Sequence, residues 1–281
     1  MTSTAVVNKI KWACSARKAG HAGTLDPSAT GILAIALGEA TKTIPYVTEQ
    51  VKSYTFEVKW GEATDSDDSD GKIIQTSQMR PSEQDIIAIL PRFRGEIKQT
   101  PPFFSAVKIN GRRAYELARI GEDFDIASRS LFVSSLKLEK YISENSAILS
   151  LECGKGGYVR SIARDLGLEL GCYGHVKWLR RIASGSFNLS MAHSLDTILK
   201  LNKTSAVNNF ILPVELGLST IKHGTCTATA AEKIRNGNSA PILCNGARTG
   251  DEIWVSYSET PIAIGKYEEG AFLPKKVFNL I

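Results

Sequence analysis

The stretch Lys18-Ala-Gly-His-Ala-Gly-Thr-Leu-Asp-Pro-Ser-Ala-Thr-Gly-Ile-Leu33 sets one carboxylate, Asp26, among three glycines, a histidine, a proline and a following apolar run. Gly20, Gly23 and Gly31 admit backbone conformations that other residues avoid. Pro27 fixes its own φ and disfavours helical geometry at Asp26. A loop of this composition can hold an acid rigidly. Taken alone, the stretch equally fits an Asp that opens a turn before a helix, which is ordinary Asp-Pro chemistry. The rest of the chain has to separate the two.

Four further segments follow in order. Lys52-Ser-Tyr54 leads to Gly61-Glu-Ala-Thr-Asp65. Gln99-Thr-Pro-Pro-Phe-Phe-Ser-Ala-Val-Lys108 is followed by Gly111-Arg-Arg-Ala-Tyr-Glu-Leu-Ala-Arg119. Then come Gly154-Lys-Gly-Gly-Tyr158-Val-Arg160-Ser-Ile and Gly174-His-Val-Lys-Trp-Leu179-Arg-Arg181. Together with the Asp26 loop these segments resemble, in the same order, the TruB family of bacterial synthases, which convert uridine 55 of the tRNA T-loop into pseudouridine. The likeness runs from Lys18 to Arg181 and is loose beyond it.

The resemblance implies an α+β fold: a mixed-sheet pseudouridine synthase catalytic domain over residues 1–215, followed by a small β-rich PUA-like RNA-binding module over residues 222–281. The catalytic carboxylate would be Asp26. Arg160 is the best partner for it, because a guanidinium stays charged and can lock a carboxylate in place. Tyr54 corresponds to the base-stacking tyrosine, with a hydroxyl suited to a proton-transfer step at C5. Tyr158 and Leu179 match positions lining the uracil pocket, and His21 matches the residue that stacks within the displaced T-loop. Without the resemblance, Tyr158 and Leu179 read as core. The family pattern usually opens with a strand and a Lys-Pro-x-Gly turn before Thr-Ser, whereas this chain opens at Met1-Thr-Ser. The first strand is therefore expected to be missing, with either a true start upstream or a sheet that tolerates the loss.

Periodicity supplies the local elements. Thr2 or Ser3 can cap a helix carrying Val6, Val7, Ile10 and Ala13 at helical spacing, and a short helix or strand follows from Gly31. Residues 54–60 alternate apolar and polar as a half-buried strand does. Residues 81–93 predict a helix with Pro81 in its first turn and Ile86, Ile87, Leu90 and Phe93 on one core-facing side. Residues 115–119 fit a short helix, and residues 131–138 and 147–153 fit two strands. After the Gly154–Gly157 turn, residues 158–170 fit a helix with Ile162, Leu166 and Leu170 inward and with Tyr158 and Arg160 at its start. Beyond residues 213–223, Gly-rich turns and short strands at 241–244, 252–257 and 262–264 suit a small β-barrel.

Composition bounds the rest. A chain of 281 residues with 43% hydrophobic content can bury a substantial core, and its longest apolar run is too short to cross a bilayer. The net charge of +5 is compatible with a polyanionic partner without requiring one. Five scattered cysteines without a Cys-x-x-Cys pair suggest neither a disulfide framework nor a zinc site. With no secretory signal, a cytoplasmic protein with reduced thiols is expected. The acid-free first 25 residues superficially resemble a transit peptide, but cleavage there would damage the Asp26 loop.

Cofactor motifs are missing. Gly154-Lys-Gly-Gly lacks both dinucleotide and Walker spacing, and the four histidines lack metal-ligand spacing. The acidic run from Asp65 to Gly71 fails as an EF-hand, with Ser66 and Ser77 at the first and last ligand positions, and reads as a solvated turn. Two basic clusters, Lys155, Arg160, Arg164, Lys177, Arg180 and Arg181, and Lys108, Arg112, Arg113 and Arg119, read as a rim neutralising RNA phosphates. The expectation is a monomer acting on the tRNA T-loop with no cofactor, metal, membrane or guide RNA. Two rivals are a guide-RNA-dependent synthase, which shares the Gly-His-x-Gly-Thr-Leu-Asp-Pro core, and an RNA chaperone without chemistry.

Overall fold

Alternation around Tyr54 produces the Lys52–Trp60 strand, an inner strand of a seven-stranded sheet. The structure, a computed structural model, describes residues 1–280. Along that sheet lie Phe187–Asn188, Gly174–Ser184, Lys52–Trp60, Ser146–Cys153, Arg129–Ser143 and Gly95–Gln99. Each of these pairs antiparallel to its neighbour. Thr30–Gly31 adds a parallel partner to Gly174–Ser184, so the sheet is mixed. The half-buried alternation fails at Phe56, Glu57 and Val58, three consecutive buried residues, because Lys177 and Trp178 of the next strand cover Glu57.

The Val159–Glu169 helix follows the glycine turn, with Tyr158 as its N-cap. Its Ile162, Ala163 and Leu166 join Phe56, Val58, Leu149 and Leu151 in one core. The expected helix at 81–93 is shorter. Ser82 caps the Glu83–Ile89 helix through a reciprocal capping box with Asp85, which leaves Pro81 ahead of the cap. Pro91 has no N–H to continue the α pattern, so Leu90–Phe93 is 3₁₀. Ile86, Leu90 and Phe93 are buried, but Ile87 is exposed, since neighbouring residues on a helix point about 100° apart. All of these elements belong to one compact unit, made of Leu25–Ile32 and Val51–Leu189.

Gly31 marks how the Asp26 loop rejoins the sheet. It has φ +97°, and a Cβ there would run into the Arg181 carbonyl, which accepts the Ile32 N–H at 2.9 Å. Gly31→Ala is therefore expected to destabilise the protein by about 1–3 kcal/mol in denaturant unfolding. An unchanged midpoint would show that the backbone yields there.

The second unit comprises Met1–Thr24, Leu33–Gln50 and the chain from Ser190 onward. The Ser3–Ala13 helix starts as expected, with the Thr2 hydroxyl accepting the Ala5 N–H. Residues after Gly31 form a strand rather than a helix: Ile35–Leu37 pairs with Ala19–His21, and a 3₁₀ turn follows. The C-terminal part is β-rich, with a five-stranded sheet ordered Lys222–Thr225, Glu252–Tyr257, Thr260–Glu268, Ala271–Val277, Ala240–Pro241. Ile234 of the Ala228–Arg235 helix packs with its Ile253, Val255 and Phe272. The strand expected at 241–244 shrinks to Ala240–Pro241 and an isolated Thr225 to Leu243 bridge. Ala271–Val277 was hidden by Pro274, which fits because the register shifts beside it.

Candidate active site

Asp26 precedes a turn in which Pro27 and Ser28 are the central residues and the Ala29 N–H donates to the Asp26 carbonyl at 3.0 Å. The chain then enters Thr30–Gly31, which pairs with Arg180 and Arg181. The carboxylate thus opens a proline-fixed turn that runs directly into the sheet, the rigid mounting that its sequence promises.

Its partner is Arg160, 134 residues away in the first turn of the Val159–Glu169 helix. Nε donates to Asp26 Oδ2 at 2.9 Å and Nη2 to Oδ1 at 3.0 Å, a two-point fork. The other donors are also engaged: Nη1 with the Ser66 carbonyl at 2.9 Å and Nη2 with the Phe104 carbonyl at 3.0 Å. Asp68 Oδ2 lies 3.7 Å from Nη1. The Arg160 side chain is 6% exposed against 31% for Asp26, so the cation is enclosed and the carboxylate remains open on one side. A cleft of about 70 Å³ opens there, bounded by Asp26, Ser28, Ala29, Asp68, Arg160 and Leu179 together with residues 69, 70 and 176–178.

Tyr54 is buried in the strand next to Leu179's, paired in register with Arg181, which also hydrogen-bonds its hydroxyl. Burial pushes the Tyr54 hydroxyl up to about 12 against the opposing pull of Arg181, so at neutral pH it is a protonated phenol that feels the Asp26 charge. Tyr158 is half-buried, and burial raises its pKa against the pull of nearby Arg129 and Arg160. It too lies within electrostatic reach of Asp26 and Arg160. Five sequence-named residues, Asp26, Tyr54, Tyr158, Arg160 and Leu179, therefore share one unit. His21 lies in the other unit, in the Ala19–His21 strand opposite Ile35.

Two expectations are corrected. The run from Asp65 to Gly71 is not a solvated turn: Ser66 and Asp67 are buried, and the loop supplies a carbonyl and a carboxylate to Arg160. Nor are Arg160 and Arg181 part of a phosphate rim. Both are buried, and Arg181 Nε donates to the Ile32 carbonyl at 2.7 Å. Arg180, Lys155, Lys108, Arg112, Arg113 and Arg119 are exposed.

Two supporting roles escaped the sequence reading. Gln99 clasps the helix start, accepting the Tyr158 N–H at 2.8 Å and donating to its carbonyl at 3.1 Å. Arg164, one helical turn beyond Arg160, binds Asp67 Oδ2 at 2.8 Å, Asp165 Oδ1 at 2.9 Å and the Thr100 carbonyl at 2.8 Å. Asp67 adopts φ +60°, a left-handed conformation that Asp tolerates better than most residues. Among the described residues, no three His, Cys, Asp or Glu side chains are placed to share a metal ion, and no helix is long and apolar enough to cross a membrane.

Burial raises the Asp67 carboxyl to about 6 despite Arg164 and Arg160, with Asp165 adding to the rise. A carboxyl raised above its unfolded value of 3.8 binds a proton more readily in the folded state, so its contribution to stability grows as pH falls from about 7 to 4. Wild type should therefore gain on Asp67→Asn across that window, by up to about 1.4 kcal/mol per pH unit. Parallel melts over the pH series would show it, and a difference that moves the other way would contradict the assignment.

The comparisons with known proteins agree with this architecture. Residues 11–159 match the family model for the N-terminal domain of TruB family pseudouridylate synthases, and residues 160–219 match that for the C-terminal domain of tRNA pseudouridylate synthase B. The chain is 50% identical over 280 residues to tRNA pseudouridine synthase B of Cereibacter sphaeroides, covering 100% of this chain and 93% of that protein. With the same enzyme of Dinoroseobacter shibae it is 51% identical over 279 residues, covering 99% and 92%. Among solved structures, an H/ACA RNP bound to a substrate RNA containing 2'-deoxyuridine superposes with TM-score 0.76 at 22% identity, over 100% of this chain and 82% of that one. A Cbf5-Nop10-Gar1 complex gives 0.74 at 24% identity, over 99% and 81%. The likeness to these structures concerns the fold, whereas the family models and the full-length relatives establish kinship: the chain belongs to the TruB family of pseudouridylate synthases.

Proposed function

We propose that the protein isomerises uridine 55 in the T-loop of tRNA to pseudouridine, with Asp26 as the nucleophile, acting alone as a cytoplasmic monomer without guide RNA. The observation that carries this reading is the two-point Asp26–Arg160 fork at the wall of an open cleft. The relatives' names, tRNA pseudouridine synthase B, support the substrate class. The reaction breaks N1–C1′, turns the uracil and joins C5 to C1′, with the C5 proton lost and a proton gained at N1. Product and substrate are isomers, so no oxidant, reductant or water is consumed.

In this scheme Arg160 aims Asp26 and keeps its charge compensated while the carboxylate attacks. The target base is stacked in folded tRNA and has to be turned out to reach Asp26. Tyr54 offers the flipped uracil a ring face, and its protonated hydroxyl can relay a proton at C5. Tyr158 and Leu179 wall the uracil, and His21 stacks within the displaced T-loop. The exposed cations contact phosphates. Residues 1–215 form the catalytic domain, and the β-rich segment over residues 222–281 acts as a PUA-like RNA-binding module. Purified protein incubated with an unmodified tRNA transcript, without metal, nucleotide or guide RNA, should yield pseudouridine at position 55. Product at another position, or none until a guide RNA is supplied, would overturn the reading.

A further inference from the structure

The Gly174–Ser184 strand contains a bulge. Val176 pairs with Val58 and Trp178 with Glu57, which leaves Lys177 as an extra residue on its strand. In a regular strand, side chains 177 and 178 would point to opposite faces. Here both reach one carboxylate: Lys177 Nζ lies 2.9 Å from Glu57 Oε1, and Trp178 Nε1 donates to Oε2 at 2.6 Å. Re-aiming side chains in this way is what bulges beside active sites do. The bulge is also clamped from the acidic loop, where the Ser69 N–H donates to the Val176 carbonyl at 3.0 Å.

Glu57 is 4% exposed on an inner strand, and a buried carboxylate is tolerated only when its oxygens are satisfied. Burial pushes its pKa upward, but Lys177, Ser146 and Trp178 outweigh this and hold it below the ordinary value. The carboxylate is thus a fixed anchor. Trp178, whose N–H is tied to that anchor, is nonetheless 38% exposed and lines the same cleft as Asp26, Arg160 and Leu179. A large ring held in one orientation and left open to solvent beside the reacting carboxylate has no part in the chemistry proposed above. A flat, polarisable partner that enters the cleft with the substrate would cover it, and every nucleobase has such a face.

We propose that Trp178, aimed by the Lys177 bulge and held by Glu57, is a stacking platform for a nucleobase flanking the uridine that enters the Asp26 cleft. This rests on the reading of the protein as an RNA uridine isomerase. The platform adds a sequence-tolerant grip on the displaced strand and needs no base-edge hydrogen bonds.

The test compares wild type, Trp178→Ala and Trp178→Phe in binding to an intact tRNA transcript and to transcripts carrying one abasic nucleotide at each position flanking the target. Trp178→Ala should weaken binding of the intact transcript by about ten-fold, the scale of one lost base–aromatic stack. One abasic transcript should be weakened similarly on wild type and no further by Trp178→Ala, the signature of a shared interaction. Trp178→Phe keeps a ring and should retain most of the affinity with the same coupling. The salt slope should not change, since no phosphate contact is lost. Equal weakening of every transcript by Trp178→Ala, abasic ones included, would mean that the ring only supports the fold, and wild-type binding by that variant would remove the platform altogether. A Trp178→Phe variant without coupling at any position would also overturn it. Wild-type protein that isomerises no uridine in the intact transcript overturns the functional reading instead, so the two failures are distinguishable.

Discussion

Replacing Arg160 with Lys is expected to lower the single-turnover rate by about 10²- to 10³-fold while tRNA affinity stays near wild type, on the scale of disrupting one partner of a buried ion pair. The guanidinium spends its donors on the Asp26 carboxylate and on the Ser66 and Phe104 carbonyls. An ammonium on a flexible stem keeps the charge but cannot satisfy this planar set or hold the carboxylate at two points. If Arg160 instead gripped an RNA phosphate, Lys would largely suffice, and Arg160→Ala would weaken binding and flatten its salt dependence by about one phosphate. Its burial and its protein partners argue against that. Single-turnover rates at saturating enzyme, set beside binding over a salt series, separate the alternatives. A wild-type rate for the Lys variant would remove Arg160 from the chemistry.

What could be read from the sequence was local. The i, i+4 spacing of Ile162 and Leu166 located the helix that carries Arg160, and alternation around Tyr54 located the strand beside Leu179. The Asp26 loop announced itself through its glycines and Pro27. What stayed hidden depends on partners far along the chain. Asp67 and Asp68 looked like hydrophilic turn residues because the arginines that draw them inward lie more than ninety positions later. Charge counting placed Arg160 and Arg181 on a surface rim for the same reason, since composition does not distinguish a solvated arginine from one enclosed by carbonyls. Glu57 kept an alternating pattern on paper, and only the bulge at Lys177 shows that its outward face is covered. Gln99 opens the Gln99–Lys108 segment, but a buried amide clasping a helix N-terminus has no distinctive spacing.

Asp26→Asn is expected to remove pseudouridine formation by about 10⁴-fold or more, the scale seen when a covalent nucleophile is lost. Asn has nearly the same shape and remains able to accept from Arg160 through its one carbonyl oxygen, so the loop, the cleft and the RNA-contacting surface should persist. What disappears is the anionic oxygen that attacks the nucleoside. Binding and chemistry should therefore part company at this one atom. The most direct measurement is single-turnover conversion of uridine 55 in an unmodified tRNA transcript by Asp26→Asn, at enzyme concentrations shown by direct binding to saturate the RNA. A complex of near wild-type affinity that forms no pseudouridine is expected; measurable conversion by that complex would rule out Asp26 as the nucleophile.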